Sequence, residues 1–345
     1  MTTTSTNDHT SGAAPQALNQ ARLDASLTET PLNADTLSQS DVSSAEEKGK
    51  TVLYLAYGSN MCEETFRGAR GIKPISQVNV LVPSLRLTFD LPGVPYTEPC
   101  FANTAVRRTA DAPDSYASSV GSADYHKDRW HKGLVGCVYE VTPSDYAHII
   151  ATEGGGSAYQ DILVDCHVLP ASDTVPATPS GPAFKAHTLF APYVDPASPP
   201  RDPDTAPSDR ASRPDPSYAQ PSARYLKLLV DGAAELELPG EYREYLGQIR
   251  AYTITNAKQR VGKAMFLAVW VPLIMFIFSL GDKFKDEKGK APKWLAKMSA
   301  AVFQGMWTSY DAVFKRLFGD GERTEGLDDE EDEGEEKGKD MYTMD

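Results

Sequence analysis

Cysteine is scarce. Only Cys62, Cys100, Cys137 and Cys166 occur in 345 residues, and no two of them form a Cys-x-x-Cys pair. Cys166 and His167 are adjacent, but neighbours on a strand point to opposite faces and do not chelate one ion. These spacings exclude a zinc ribbon and a disulfide-stapled scaffold. The opening MTTTSTNDHTSGAAPQ lacks the basic and apolar regions of a secretory signal. The expectation is therefore reduced thiols in a cytosolic domain. A surplus of positive charge is missing too: Lys and Arg number 34 against 48 Asp and Glu, a net charge of −14. Nucleic acid is excluded as a partner, since binding it requires a basic surface to replace phosphate counterions.

The acidity is confined to the ends. Residues 320–345 hold 13 acids and 3 bases, residues 1–50 hold 7 and 3, and the span 51–319 is electroneutral. The polar head, 1–50, has too little apolar surface to offset ordering entropy and reads as disordered. The acidic tail, 319–345, reads as disordered as well, either a solvated solubility run or an interaction tail for a basic partner.

The pattern changes at Thr51. TVLYLAY over 51–57 is a short apolar run ending at Gly58, as in a buried strand closed by a tight turn. Strand-like runs follow at 76–90, 133–141, 161–169 and 183–190. A short helix is expected over 143–152, with Pro143 near its start and Ser144 as its cap. Two helical pieces are expected around 223–231 and 240–251. Polar residues about 110–131 and proline-rich residues about 192–221 read as insertions or extended loops. The core unit spans 51–252.

Beyond it, residues 264–280 run seventeen positions without a charge, with Arg260 and Lys263 before them and Asp282, Lys283 and Lys285 after. Roughly 20 apolar residues make a spanning helix, and Pro272 interrupts this run. Residues 292–318 repeat large apolar side chains at helical spacing, with Lys293, Lys297, Lys315 and Arg316 completing an amphipathic helix. The region 258–318 is expected to associate with a membrane, as a full span or as a kinked hairpin with both ends cytosolic. A buried helix pair in a globular domain is the competing reading.

Two short strings carry chemistry. Tyr57-Gly58-Ser59-Asn60 follows the first strand directly. A glycine there permits positive φ and lets successive backbone N–H groups converge on an anion or carbonyl oxygen. Ser59 and Asn60 either satisfy that turn or reach a ligand. The second string sets Glu153 after the helix over 143–152 and before Gly154-Gly155-Gly156. A carboxylate partly desolvated there gains the raised pKa that acid–base catalysis near neutrality needs. An exposed helix-end Glu before a glycine stop is the ordinary alternative.

Taken in order, YLAYGSNM over 54–61, KGLVGCVYEVTPSDYAHIIATEGGGSAY over 132–159 and SARYLKLLVDGAAELELPGEYREYLGQI over 222–249 resemble the gamma-glutamylcyclotransferase family. The resemblance covers roughly 51–252 apart from the two insertions. It implies an α+β fold, a small mixed β-barrel with helices around it, to which the C-terminal helical extension is added. It also implies a carbon–nitrogen lyase that takes a small-molecule γ-glutamyl substrate and releases 5-oxoproline, with no metal or organic cofactor. Glu153 matches the family's catalytic glutamate. Tyr57, Gly58, Ser59 and Asn60 match its substrate-binding turn, Tyr225 a tyrosine expected to bond the substrate α-carboxylate, and Tyr159 a further family tyrosine. Family members act on free γ-glutamyl amino acids, glutathione or γ-glutamylamines, and fungal relatives on glutathione conjugates. A non-catalytic γ-glutamyl-binding module on a membrane is the alternative class.

Overall fold

The computed structural model describes residues 16–32, 39–107, 127, 129–152, 160–190, 213, 215, 217–284 and 292–325. A short strand β1 (Gln16–Ala17) and helices α1 (Gln20–Ser26) and α2 (Gln39–Glu47) precede the apolar run. β2 (Val52–Ala56) is buried at every position, as a continuous apolar strand must be when both its faces are covered. A 3₁₀ turn (Ser59–Met61) and a π-helical turn (Glu64–Ala69) lead to β3 (Ser76–Val82), β4 (Leu85–Val94) and β5 (Glu98–Val106). β6 (Leu134–Val141), helix α3 (Pro143–Thr152), β7 (Gln160–Val168) and β8 (Ala183–Phe190) follow. The single run expected over 76–90 is two strands, because Pro83 and Ser84 form a turn between β3 and β4. Thr142, rather than Ser144, starts α3: its Oγ1 accepts the Asp145 amide at 3.1 Å, and Pro143 needs no donor in the first turn.

The sheet order is β1-β3-β6-β2-β8-β7, and β7 also pairs with β3 through Val80↔Val168 and Leu81↔His167. That extra pairing closes the sheet on itself, so the fold is α+β with a small barrel. β4 and β5 form a separate hairpin. α4 (Ala223–Glu235) and α5 (Gly240–Gln248) pack against the barrel through Leu226, Leu229, Ala233, Tyr242 and Leu246. Ser222 caps α4, its Oγ accepting the Tyr225 amide at 3.0 Å. α4 lies so close to the turn after β2 that a Cβ on Gly232 would stand 2.5 Å from the Cys62 nitrogen.

Two expectations of disorder are corrected within the described residues. In the head, Leu23 and Ser26 of α1 are buried, and Arg22 donates to the Thr51 hydroxyl and carbonyl at 2.8 and 2.9 Å. A few spaced apolar residues anchor a helix there that the average composition hid. In the tail, residues 319–325 are packed: Asp320, Glu322 and Thr324 are buried, and Arg213 forks between Glu322 and Asp311. Positive partners from elsewhere in the chain neutralise these acids. The outer parts of the tail and of both insertions lie outside the described residues.

The C-terminal region is α6 (Ala257–Phe284), α7 (Lys293–Ser309), a π-helical turn (Tyr310–Phe314) and α8 (Lys315–Phe318). Phe266, Met306, Trp307 and Tyr310 form its core together with Tyr96 from the β4–β5 connection. The helix pair is thus built onto the β4–β5 hairpin, with its own small core.

Candidate functional site

The signature turn leaves β2 with Tyr57 buried, its phenol donating to the Leu189 carbonyl on β8 at 3.0 Å. Gly58 has φ −113°, so the left-handed backbone expected from sequence is not what this position requires. It requires space. A Cβ there would sit 3.2 Å from the Tyr225 phenol oxygen and 3.6 Å from Ala102 Cβ. The Gly58 and Ser59 carbonyls accept the Met61 and Cys62 amides and so tighten the turn. Asn60 is buried and faces inward, its Nδ2 donating to the Tyr54 phenol at 2.7 Å.

Tyr225 reaches this turn from α4. Its oxygen accepts the Ala102 amide of β5 at 3.1 Å, and its ring meets Phe101 edge-on at 5.0 Å. The first and third sequence blocks therefore meet, with β5 as the third wall. β5 was not read from sequence: Pro99 and the small residues of EPCFANTAV blur the two-residue alternation that marks a strand. A buried Asn103, donating to Asp90 at 2.9 Å, adds to that wall.

Glu153 and Tyr159 lie outside the described residues. The described residues on either side of that segment are tied to the body of the fold. Thr152, the last residue of α3, is bonded by the Arg70 guanidinium, and Arg70 directly follows the π-helical turn. On the other side Gln160 pairs with Phe190, whose neighbour Leu189 accepts from Tyr57.

A second polar cluster was missed by sequence reasoning, although a histidine inside the apolar run AFKAHTLF was its signal. His187 on β8 bonds Asp161 through Nδ1 at 2.9 Å and Glu29 through Nε2 at 3.3 Å. Tyr146 donates to the same Asp161. Burial by itself pulls the imidazole down, but the hydrogen bonds to Asp161 and Glu29 outweigh it and push His187 up to about 9. All four cysteines are buried and free. Burial raises the Cys100 and Cys137 thiols to about 12, which keeps them neutral and unreactive. Among the described residues no three His, Cys, Asp or Glu side chains are disposed to hold a metal ion.

Residues 256–317 match a family model described as the AclK C-terminal domain. The gamma-glutamyl cyclotransferase gliK of Aspergillus fumigatus is 31% identical over 273 residues, covering 79% of this chain and 89% of that protein. The gamma-glutamyl cyclotransferase aclK of Aspergillus oryzae is 29% identical over 290 residues, covering 80% and 92%. Among solved structures, a gamma-glutamyl cyclotransferase superposes with a TM-score of 0.38 at 18% identity, over 60% of this chain and 92% of that one.

Proposed function

This chain belongs to the gamma-glutamyl cyclotransferase family, and from that premise we propose how its own residues run the reaction. The substrate carries its nucleophile. Its α-amine attacks the γ-carbonyl carbon, a C–N bond closes the five-membered ring, and the C–N bond to the leaving amine or amino acid breaks. The products are 5-oxoproline and the free amine or amino acid. Holding a tethered nucleophile in its attack conformation supplies much of the acceleration, with effective molarities of about 10⁵–10⁸ M.

Three tasks remain for the protein. Glu153 takes a proton from the α-ammonium and delivers one to the departing nitrogen, a contribution of roughly 10²–10⁴-fold. Backbone N–H groups of the turn Tyr57–Asn60 face the oxyanion that develops on the γ-carbonyl. Tyr225 donates its phenol hydrogen to the substrate α-carboxylate, and Tyr159 closes the same pocket. The observation that carries this reading is the Tyr225 phenol, bonded to the Ala102 amide at 3.1 Å and placed 3.2 Å from where a Cβ on Gly58 would stand. It brings two family motifs, distant in sequence, to one wall.

The test is Glu153→Gln. Release of 5-oxoproline from a panel of γ-glutamyl amino acids, glutathione and a γ-glutamylamine should fall by at least about 10²-fold, with circular dichroism unchanged. Undiminished turnover overturns the assignment, and the panel itself identifies the leaving group.

We further propose that the enzyme is membrane-attached through α6 and α7, with its catalytic domain on the cytosolic side. Ala257–Gly281 is long and apolar enough to cross a bilayer, with only 11% of its most apolar window buried. That exposure favours lipid over a soluble core as its surroundings.

A further inference from the structure

We infer that α6 lies along the surface of an anionic phospholipid membrane and does not cross it. This rests on the membrane attachment proposed above and specifies its geometry. Both ends of the helical region are tied to the same body. Tyr252 and Gln259, before and at the start of α6, donate to the Asp320 carbonyl at 3.1 and 2.8 Å. After α8 the chain returns to Tyr96, whose amide donates to the Gly321 carbonyl at 2.7 Å and whose phenol donates to the Gly319 carbonyl at 2.9 Å. A spanning α6 would therefore oblige α7 to span back.

The surface of α7 opposes that. Its exposed positions include Lys297, Gln304, Thr308 and, just beyond its end, Asp311, and charged groups at bilayer depth cost several kcal/mol. Nor is enough of α6 clear of protein. As far as Ile277 one side of it is covered: Gln259 and Phe266 are fully buried, Gly262 lies against Phe318, Trp270 donates to Ser309 at 3.1 Å and Ile277 is buried. Residues 278–284 extend about 10 Å at ~1.5 Å per residue, short of the ~30 Å hydrocarbon layer.

The other side of α6 is apolar at every exposed position from Val261 to Phe278. Val261, Met265, Val269, Met275, Phe276 and Phe278 are each at least half exposed. Basic residues bracket this face, with Arg260 and Lys263 at one end and exposed Lys283 at the other. An apolar face flanked by cations on one helix, beside a helix that exposes Lys297, Gln304 and Thr308 as well as Trp294, is complementary to the boundary between lipid and water.

The test uses the full chain and sealed phosphatidylcholine vesicles, with and without phosphatidylserine. The four native cysteines are buried, so Lys283→Cys and, as a control on α4, Lys227→Cys report accessibility to a membrane-impermeant maleimide. The expected result is flotation with the anionic vesicles, enhanced on the order of tenfold or more over neutral ones at low salt. Both cysteines should label equally without detergent. Phe276→Glu should abolish flotation while leaving 5-oxoproline release unchanged. Flotation with Lys283→Cys protected until detergent is added overturns the in-plane geometry and leaves membrane attachment standing. Absence of flotation, or a chain dimer that Phe276→Glu dissociates in solution, overturns the lipid surface altogether. Failure of the wild-type chain to release 5-oxoproline would sink the catalytic reading and leave the flotation result untouched.

Discussion

The phenol oxygen of Tyr225 accepts the backbone amide of Ala102 at 3.1 Å, although 123 residues separate them. This single bond fixes the third sequence block against a strand that no block contains. Tyr225→Phe keeps the edge-on contact with Phe101 but leaves the buried Ala102 amide without its acceptor. Stability should fall by about 1–3 kcal/mol. If the phenol also binds the substrate carboxylate, KM should rise on the order of tenfold with a smaller change in kcat. Steady-state kinetics beside thermal unfolding separates the two effects; an unchanged KM would remove Tyr225 from substrate binding.

Gly58→Ala introduces a methyl 3.2 Å from the Tyr225 oxygen. Its φ of −113° is open to alanine, so backbone strain is not the issue. The phenol has to move by a few tenths of an ångström, which weakens its bond to Ala102. We expect kcat/KM to drop about tenfold and stability to change by less than about 1 kcal/mol. The combination with Tyr225→Phe should be less than additive, because both changes act through one oxygen. Additive losses in the double mutant would show that Gly58 acts on the substrate directly.

His187 makes stability depend on pH. Its folded value, near 9, lies above the ordinary 6.5, so the fold binds this proton more tightly than the unfolded chain does. The contribution is complete below about pH 6.5 and fades as pH rises through 9. Denaturant unfolding should show a loss on the order of 3 kcal/mol across that window, at about 1.4 kcal/mol per pKa unit. In Asp161→Asn the slope should flatten, because the partner that holds the imidazolium is gone. A wild-type stability that stays level from pH 6.5 to 9.5 would contradict the ion cluster.

Truncation separates the two parts of the acidic tail. A chain ending after Glu325 retains the Arg213–Glu322 pair, the Gln220–Thr324 bonds and the grip on Tyr96. Its stability should stay within about 0.5 kcal/mol of the full chain. A chain ending after Gly319 takes Glu322 from the mostly buried Arg213, leaving it Asp311, and takes the Gly321 carbonyl from the amide of Tyr96, whose φ of 62° needs external support. That loss should reach on the order of 3–5 kcal/mol. Equal unfolding midpoints for the two truncations would mean that residues 320–325 contribute nothing.

Local patterns foretold much of the architecture. The apolar run at 51–57, the helix at 143–152 and the strands near 134–141, 160–168 and 183–190 were legible because period and turn residues agree there. β5 was not, since Pro99 and small side chains erase the alternation, and its place is set by pairing with β4. α1 escaped notice because a few apolar residues in a polar head have meaning only against a barrel that is already there. The same holds for Asp320 and Glu322: in a run of acids they look solvated, and only Arg213, Lys315 and Tyr218 around them make burial tolerable.

The ordered motifs and the charge-free run at 264–280 were properties of the sequence alone, since catalytic residue types and hydrophobicity are written locally. They determined the family, the reaction and the presence of an apolar helix. What space Gly58 must leave, which strand completes the wall and which end of the acidic tail folds back were decided by tertiary structure. Each depends on groups tens to hundreds of residues apart, brought together by barrel closure and helix packing. A local pattern names the pieces, while the burial and pairing that give them a role arise from contacts between distant segments.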